Sequence, residues 1–372
     1  MEEICKVYCE ANATTDNPLS WGAFYKFYTD QFDAIQKLRH KSDFCDSCCK
    51  FNLILISKNS TPEVKQEAQE NKTEHLNKVE RARKAYNTYR LHTALQNDKF
   101  VLSFDYAENI LLPSLVETPG IFYFKTRRKL DLFGIINEGT KMQANFIIDE
   151  GFKISKGPDS VISMLHYYLM KNIPKDSSII LYSDNCAGQN KNQTVIGYLS
   201  YLVKVLKYFK EIELNFMISG HTKFSPDGHF GRIKSSIKET NCFSILDLIG
   251  EEGKVKKSAY SNYEIVYKDP LTSTINFHWR NWKKFLKDKF LPCVGIRDWH
   301  VVKIMQDTNN ILVANYVDEP FRSFKIMNSL PAEGGEPDIL IPEDISESRL
   351  KDLEFFADYV TEDHKPFILK KY

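Results

Sequence analysis

Three acids stand where a chain could use them for chemistry. Asp184 follows the apolar run Ile179–Tyr182, inside the string Ser-Asp-Asn-Cys-Ala-Gly-Gln-Asn-Lys-Asn of residues 183–192. Asp105 lies within a second apolar run, Phe100–Tyr106, and Asp227 sits in Ser-Pro-Asp-Gly, 225–228, where a helical pattern begins. A carboxylate in an apolar strand is costly to bury without a partner. Carboxylates converging at about 4–6 Å repel one another unless a cation lies between them. Such an all-oxygen site suits Mg²⁺ or Mn²⁺, and two ions about 4 Å apart stabilise both the attacking and the leaving oxygen of phosphoryl transfer. Glu150 is a candidate fourth ligand. Plainer readings stand beside these: Asp184 as an Asx-turn or helix cap, Asp227 as a turn or cap residue, and Asp149-Glu150 as a solvated strand end.

A second chemistry is offered by Cys45-Asp-Ser-Cys48. Two thiolates on one tight turn can share a tetrahedral zinc ion, which needs two further ligands. His40 and His75 are the nearest candidates, with Cys5 and Cys9 further off. The alternative is a pair of free cysteines in a turn between helices; a redox role would want a βαβ context, which is absent. His221 or His229 could orient a scissile phosphate, though a lone His beside a strand end is usually structural. Asn185, Gln189 and Lys191 follow Asp184 and could touch a nucleic-acid backbone. In Asn276–Phe290, aromatics interleave with base: Trp279, Arg280, Trp282, Lys283 and Lys284 could stack on bases and neutralise phosphates. Trp282, Phe285 and Phe290 also sit near helical spacing, so the aromatics can equally be core and the lysines their solvated face.

These groups need elements to hold them. Strand patterns over 100–106, 121–125, 130–136 and 143–149 precede a helix that follows Gly157-Pro158. Then come a strand to Asp184, a helix over 193–209, a strand over 213–218 and a helix from Ser225. With 143–149 as the third strand, the order β-β-β-α-β-α-β-α is that of a ribonuclease H-like α/β fold, a mixed sheet with helices on its faces. In that fold the first and fourth strands lie parallel and adjacent, so Asp105 and Asp184 could meet, and the last helix brings Asp227 towards them. Upstream, Trp21, Tyr25, Tyr28, Phe32 and Ile35 form one helix stripe. A second stripe, His75, Val79, Ala82, Tyr86, Tyr89 and Thr93, marks a long helix that starts at Ser60-Thr61-Pro62. Together they read as a helical hairpin over 1–98 with the cysteine turn between its arms. One expectation is a homodimer that pairs this second stripe as a coiled coil, another is a DNA-facing arm (Lys78, Arg81, Arg83, Lys84, Arg90), and the plainest is a solvated charged face. A core over 99–245 and a small C-terminal β/α module with a terminal helix over 246–372 complete the expected organisation.

Composition narrows the classes. Lys+Arg 50 against Asp+Glu 49 leaves no global field for a polyanion, so any nucleic-acid surface must be local. No apolar run approaches the roughly 18 residues of a membrane span, and the polar N-terminus lacks a signal-peptide core, which reads as an intracellular protein. Eight cysteines scattered over 372 residues then read as thiols or metal ligands, not a disulfide framework.

The string 183–192, followed by Gly220-His221-Thr222, Asp227 and Phe230, resembles a large family of uncharacterised transposon-related proteins. Their core domain of unknown function is similar to the ribonuclease H-like catalytic domain of DDE/D transposases. Asp105 with Leu112-Pro113, Glu150-Gly151, the Asp43–Cys48 turn and His75-Leu76 extend the likeness over roughly residues 20–365. The resemblance implies metal-dependent DNA strand cleavage and transfer in the nucleus, with Asp105, Asp184 and Asp227 as catalytic metal ligands, or an inactive or domesticated descendant. Such proteins usually carry further N-terminal sequence, so a chain lacking its DNA-recognition region is also expected. The alternative is a non-catalytic DNA- or protein-binding module on the same scaffold.

Overall fold

The computed structural model describes residues 20–31, 44–92, 99–249, 261–266, 277–306, 308–329 and 335–369. Phe32, Ile35, His40, Cys5, Cys9 and Thr93 of the sequence reading lie outside them. The chain divides into two compact units, Met1–Asp46 and Ser47–Tyr372. In the first, helix α1 (Trp21–Gln31) carries the expected stripe, with Trp21 stacked on Tyr25 at 4.9 Å. The second begins within α2 (Asp46–Ile56), at its second residue, and continues into α3 (Pro62–His92). Cys48 therefore lies inside the first turn of α2, and the link between the two helices is 57–61. This corrects the expected hairpin, in which the cysteines were to form the turn. Lys72 of α3 reaches across to the Asn52 side chain of α2 at 2.7 Å.

The strands are β1 (Lys99–Tyr106), β2 (Ile110–Leu112), β3 (Arg128–Asn137), β4 (Met142–Asp149), β5 (Ser178–Ser183) and β6 (Glu211–Phe216), then β7 (Ser261–Val266), β8 (Trp279–Arg280), β9 (Val301–Met305), β10 (Asn310–Ala314), β11 (Arg322–Lys325) and β12 (Ile339–Leu340). Ten of them form one mixed sheet in the order β11-β10-β9-β6-β5-β1-β3-β4-β7, with β2 paired to β3 beside that path. β1 runs parallel to β5 and antiparallel to β3, and β5 parallel to β6. The C-terminal strands are not a separate module. β9 joins β6 at one edge, while β7 joins β4 at the other. Segment 121–125, read as a strand, is a 3₁₀ turn over Gly120–Phe124 whose Phe122 packs under the C-terminal helices.

Helices α4 (Pro158–Asn172) and α5 (Gln193–Ser200) cover one face, burying Val161, Leu165, Leu169, Val195 and Leu199 against Leu102, Phe104, Phe133 and Leu181. Pro158 opens α4 at a position where its missing N–H is not needed, and the Asn192 side chain caps α5 by accepting the Val195 N–H at 3.1 Å. The expected single helix to 209 instead ends in a π-helical turn, Tyr201–Val205. There the buried Lys204 ammonium donates to the carbonyls of Met305, Thr308 and Asn310 and ties the turn to the β9–β10 hairpin. The opposite face takes α6 (Ser225–Glu239), through Phe230, Ile233 and Ile237 on Leu130, Leu132 and Ile147. It also takes the stripe of α3, whose Tyr86 packs with Val101, Ile180, Tyr182 and Phe224. The stripe is thus consumed within the chain, which removes it as a seam for the expected homodimer. Short helices α7 (Leu246–Ile249), α8 (Trp282–Leu286), α9 (Glu347–Ala357) and α10 (Lys365–Leu369) complete the described elements.

Gly134 shows how tightly α6 seats. It pairs with Asp105 across β1 and β3, and a Cβ there would lie 2.7 Å from the Gln143 amide and 2.8 Å from the Phe230 ring. Overpacking of a filled core costs about 1–3 kcal/mol. Gly134→Ala should lower the unfolding free energy by that much, read as a lower urea midpoint with the slope unchanged. An unchanged midpoint would show that α6 does not depend on this contact.

Candidate active site

The register brings the first two acids together. Ser103 pairs with Tyr182 across the parallel strands, so Asp105 and Asp184, each two residues on, stand level. Side chains alternate along a strand. Asp105 therefore shares a face with Val101 and Ser103, and Asp184 with Ile180 and Tyr182, which is the face that α3 and α6 cover. Asp227 occupies the first turn of α6. The three interact: burial, then Asp184, then Asp227 push the Asp105 carboxyl up to about 8. Each acid ties one oxygen to nearby backbone. Asp105 Oδ1 accepts the Tyr106 N–H at 2.8 Å, Asp184 Oδ1 the Cys186 N–H at 3.1 Å, and Asp227 Oδ2 the Phe224 N–H at 3.0 Å. Their other oxygens receive no hydrogen bond, and none of the three acids forms an ion pair, among the described residues. Asp105 and Asp184 are half-buried and Asp227 is exposed, so the cluster opens to solvent.

The string after Asp184 is a holder for that acid. Asn190 is buried, and its Nδ2 donates to Asp184 Oδ1 at 2.6 Å. The Cys186 carbonyl accepts the N–H groups of Gln189, Asn190 and Lys191, closing the loop on itself. Asn192 donates to the carbonyls of Ala187 and Gln189 while capping α5. Asn185 Nδ2 donates to Ser219 Oγ at 3.2 Å, which links the loop to the end of β6. The Oδ1 atoms of Asn185 and Asn190 are buried without a hydrogen-bond partner among the described residues.

Sequence reasoning missed the carboxylate beneath the site. Glu138 is 3% exposed; its Oε1 accepts the Tyr86 and Ser103 hydroxyls, both at 2.6 Å, and its Oε2 accepts Ser225 Oγ–H at 2.8 Å. Ser103 lies two residues before Asp105 and Ser225 two before Asp227, so Glu138 positions both. In sequence it is an acid before Gly139, indistinguishable from a turn residue.

Other expected site residues lie elsewhere. Glu150 is bound by Arg349 Nε at 2.9 Å and by the Lys129 N–H at 2.7 Å, so both its oxygens are engaged and it is not a fourth ligand. Lys191 is buried, its ammonium donating to the Arg297 carbonyl at 2.7 Å, and burial pulls its pKa down to about 8. It is thus unavailable to a nucleic-acid backbone. Gln189 remains half-buried on the loop. Trp279 and Trp282 are 1% and 2% exposed within the main core, and Trp279 Nε1 donates to the Phe152 carbonyl. They cannot stack on bases, because the core already holds them: Trp282 packs on His166 of α4 and Tyr198 of α5, and Trp279 on Phe277. Arg280 pairs with Glu336 at 3.0 Å and Lys284 with Asp338 at 2.9 Å, while Lys283 is exposed and its backbone N–H donates to Asp159.

A second cluster joins the helices to the strand ends. His221, in the loop after β6, has its Nε2 3.4 Å from Cys48 Sγ and 3.2 Å from His75 Nε2. Cys45 is set beside Cys48 by the first turn of α2, and one ligand atom from each of Cys45, Cys48, His75 and His221 lies within 4.8 Å of the others. Among the described residues no other group of three or more His, Cys, Asp or Glu draws its ligand atoms so close. Burial first, then Lys78 for His75, and His75 with Arg83 for His221, hold both rings below the usual imidazole range. His229 is buried on α6.

No curated protein matches the chain. Among solved structures, the Mos1 strand transfer complex is similar with a TM-score of 0.28 and 13% identity, over 63% of this chain and 76% of that one. The family model for a domain of unknown function, DUF7869, matches residues 125–320. That span contains β3 to β10 and both Asp184 and Asp227, and Asp105 lies upstream of it. Covering more than half of the sequence, the match shows that the chain belongs to the DUF7869 family.

Proposed function

We propose that the chain is a metal-dependent phosphoryl-transfer protein of the DDE/D transposase kind, built to cleave and join DNA strands, or a descendant of one. The observation that carries this reading is a pair of level carboxylates at adjacent parallel strands, joined by a third on α6, with no cationic side chain paired to any of them among the described residues. The strand order β6-β5-β1-β3-β4, with the first three long strands antiparallel, supports a ribonuclease H-like core. Nuclear localisation follows from the same reading.

The donor set fits a hard divalent cation. Asp105, Asp184 and Asp227 each keep one oxygen for it, and the loop carries the partnerless Asn185 and Asn190 oxygens. Bound there, Mg²⁺ or Mn²⁺ would neutralise charge on a transferring phosphoryl group. The chain supplies the rest. Asn190 and the Cys186 N–H fix Asp184, Glu138 fixes Ser103 and Ser225 beside the other two acids, and Asp105 gives up its proton when its carboxylate takes on a cation. The exposure of Asp227 leaves room for a large substrate. With the tryptophans buried, the basic residues best placed for DNA are Arg83, Lys84 and Arg90, all exposed on α3.

A second reading, a binding module without turnover, is favoured by one observation: the three carboxylates do not close as tightly as the cysteine–histidine cluster. Calorimetry separates the two, because a module without turnover takes up no Mn²⁺ at millimolar concentration while retaining DNA.

Three outcomes are expected. Asp184→Asn should cut Mn²⁺-dependent DNA nicking by at least about 100-fold with the melting temperature held or raised, since one of the repelling charges is gone. Nicking at the wild-type rate would remove Asp184 from the mechanism. Asp105→Asn should raise thermal stability relative to wild type in a pH-dependent way. The folded-state pKa of Asp105 is raised, so the wild type is fully stabilised below its ordinary value of 3.8 and loses stability as pH rises to about 8. The gain should therefore be absent near pH 4, grow with pH and level off above 8; a flat difference would deny the raised pKa. Replacing Arg83, Lys84 and Arg90 together by Glu should reduce the log–log salt slope of DNA binding by about 2–3 units, near 0.9 per lost phosphate contact. An unchanged slope would put the DNA on another surface.

A further inference from the structure

We infer that Cys45, Cys48, His75 and His221 form a closed structural zinc site that clasps α2 and α3 to the loop leading into Asp227. In a tetrahedral site with Zn–S near 2.3 Å and Zn–N near 2.05 Å, sulfur and nitrogen ligands lie about 3.6 Å apart and two nitrogens about 3.3 Å apart. The chain places Cys48 Sγ 3.4 Å and His75 Nε2 3.2 Å from His221 Nε2, within a few tenths of those spacings. Hydrogen bonding among the side chains explains this less well. His221 Nε2 carries at most one proton and cannot donate to both neighbours, whereas a shared cation satisfies all the lone pairs at once. Two thiolates and two imidazoles are the ligands of structural zinc, not of Mg²⁺ or Mn²⁺. Four protein ligands also leave no open position for a water, so the role is structural.

The site's composition gives it a mechanical role. Cys45 and Cys48 come from the start of α2, His75 from the middle of α3, and His221 from the loop that runs through Phe224 into α6. His221 stands six residues before Asp227. The ion would tie this loop to helices that otherwise hold it through the Tyr86 contacts with Phe224 and Ser225. This inference does not rest on the phosphoryl-transfer reading, since a binding module would need the same clasp.

The test uses the whole 372-residue chain, purified without chelator and analysed for metal by mass spectrometry. One zinc per chain is expected. Exchange with Co²⁺ should give the visible bands of a tetrahedral ion and a thiolate charge-transfer band. His221→Cys, a ligand swap that keeps the site, should retain one metal and raise the charge-transfer intensity about 1.5-fold, in step with three thiolates instead of two. His221→Ala and Cys48→Ser should lose at least about tenfold in zinc affinity, and Asp184→Asn should change neither the stoichiometry nor the cobalt spectrum. The inference is overturned if the folded wild type holds no zinc and gives no tetrahedral cobalt spectrum. It is equally overturned if His221→Ala and Cys48→Ser keep that spectrum, or if Asp184→Asn abolishes it.

Discussion

One buried charge organises the neighbourhood of the candidate active site. Glu138 is almost wholly removed from water, and a carboxylate in that position is tolerable only while its oxygens are satisfied. The three hydroxyls that satisfy it come from α3, β1 and the first turn of α6. These elements are separated along the chain by other strands and helices, so Glu138 is the point at which the long helix, the central strand and the helix bearing Asp227 share one set of bonds. Loss of any hydroxyl leaves part of the charge unpaired, at a cost of a few kcal/mol. Tyr86 feels the same confinement: burial and Glu138 raise its pKa to about 12, so it stays a donor throughout the physiological range.

The two clusters obey opposite rules. Around Asp105 the chain gathers like charges and leaves them uncompensated, an arrangement that lowers stability and raises the affinity for a cation. Around His221 it gathers soft neutral donors at ligand spacing. The two are joined through a short loop and through α3, whose His75 serves one cluster and whose Tyr86 supports the other. A helix that looks like an appendage in the sequence is thus a structural partner of both.

The parts that were legible in the sequence follow from local pattern. An acid after a run of β-formers, and another within one, announce a strand that delivers a carboxylate. Only the strand order could say that they stand level. The helix from Ser225 was legible through its Pro, its acid and its apolar spacing. What remained hidden depends on long-range pairing. A C-terminal β/α module was visible, but nothing local says that β7 joins one edge of the sheet and β9 the other. Trp279 and Trp282 carry the same aromatic and basic signal whether they face a nucleic acid or a core. The structure buries both rings in the core beside α4 and α5. Glu150 failed as a ligand because Arg349, almost two hundred residues away, reaches it first. The pairing of His221 with Cys48 spans 173 residues and has no periodic trace.

The position of β1 between β3 and β5 has a consequence for the birth of the molecule. Its antiparallel neighbour follows within a few tens of residues, but its parallel neighbour begins only at Ser178. At a synthesis rate of about 5–20 residues per second, the chain spends several seconds with β1, β3 and β4 assembled and the β5 side of β1 unpaired. That open edge is apolar through Val101, Leu102 and Phe104, and its neighbouring face has as yet only α3 to cover it. An unpaired edge of this kind is a template for another chain. The long helix made first therefore shields the nascent sheet, as well as bracing the finished one.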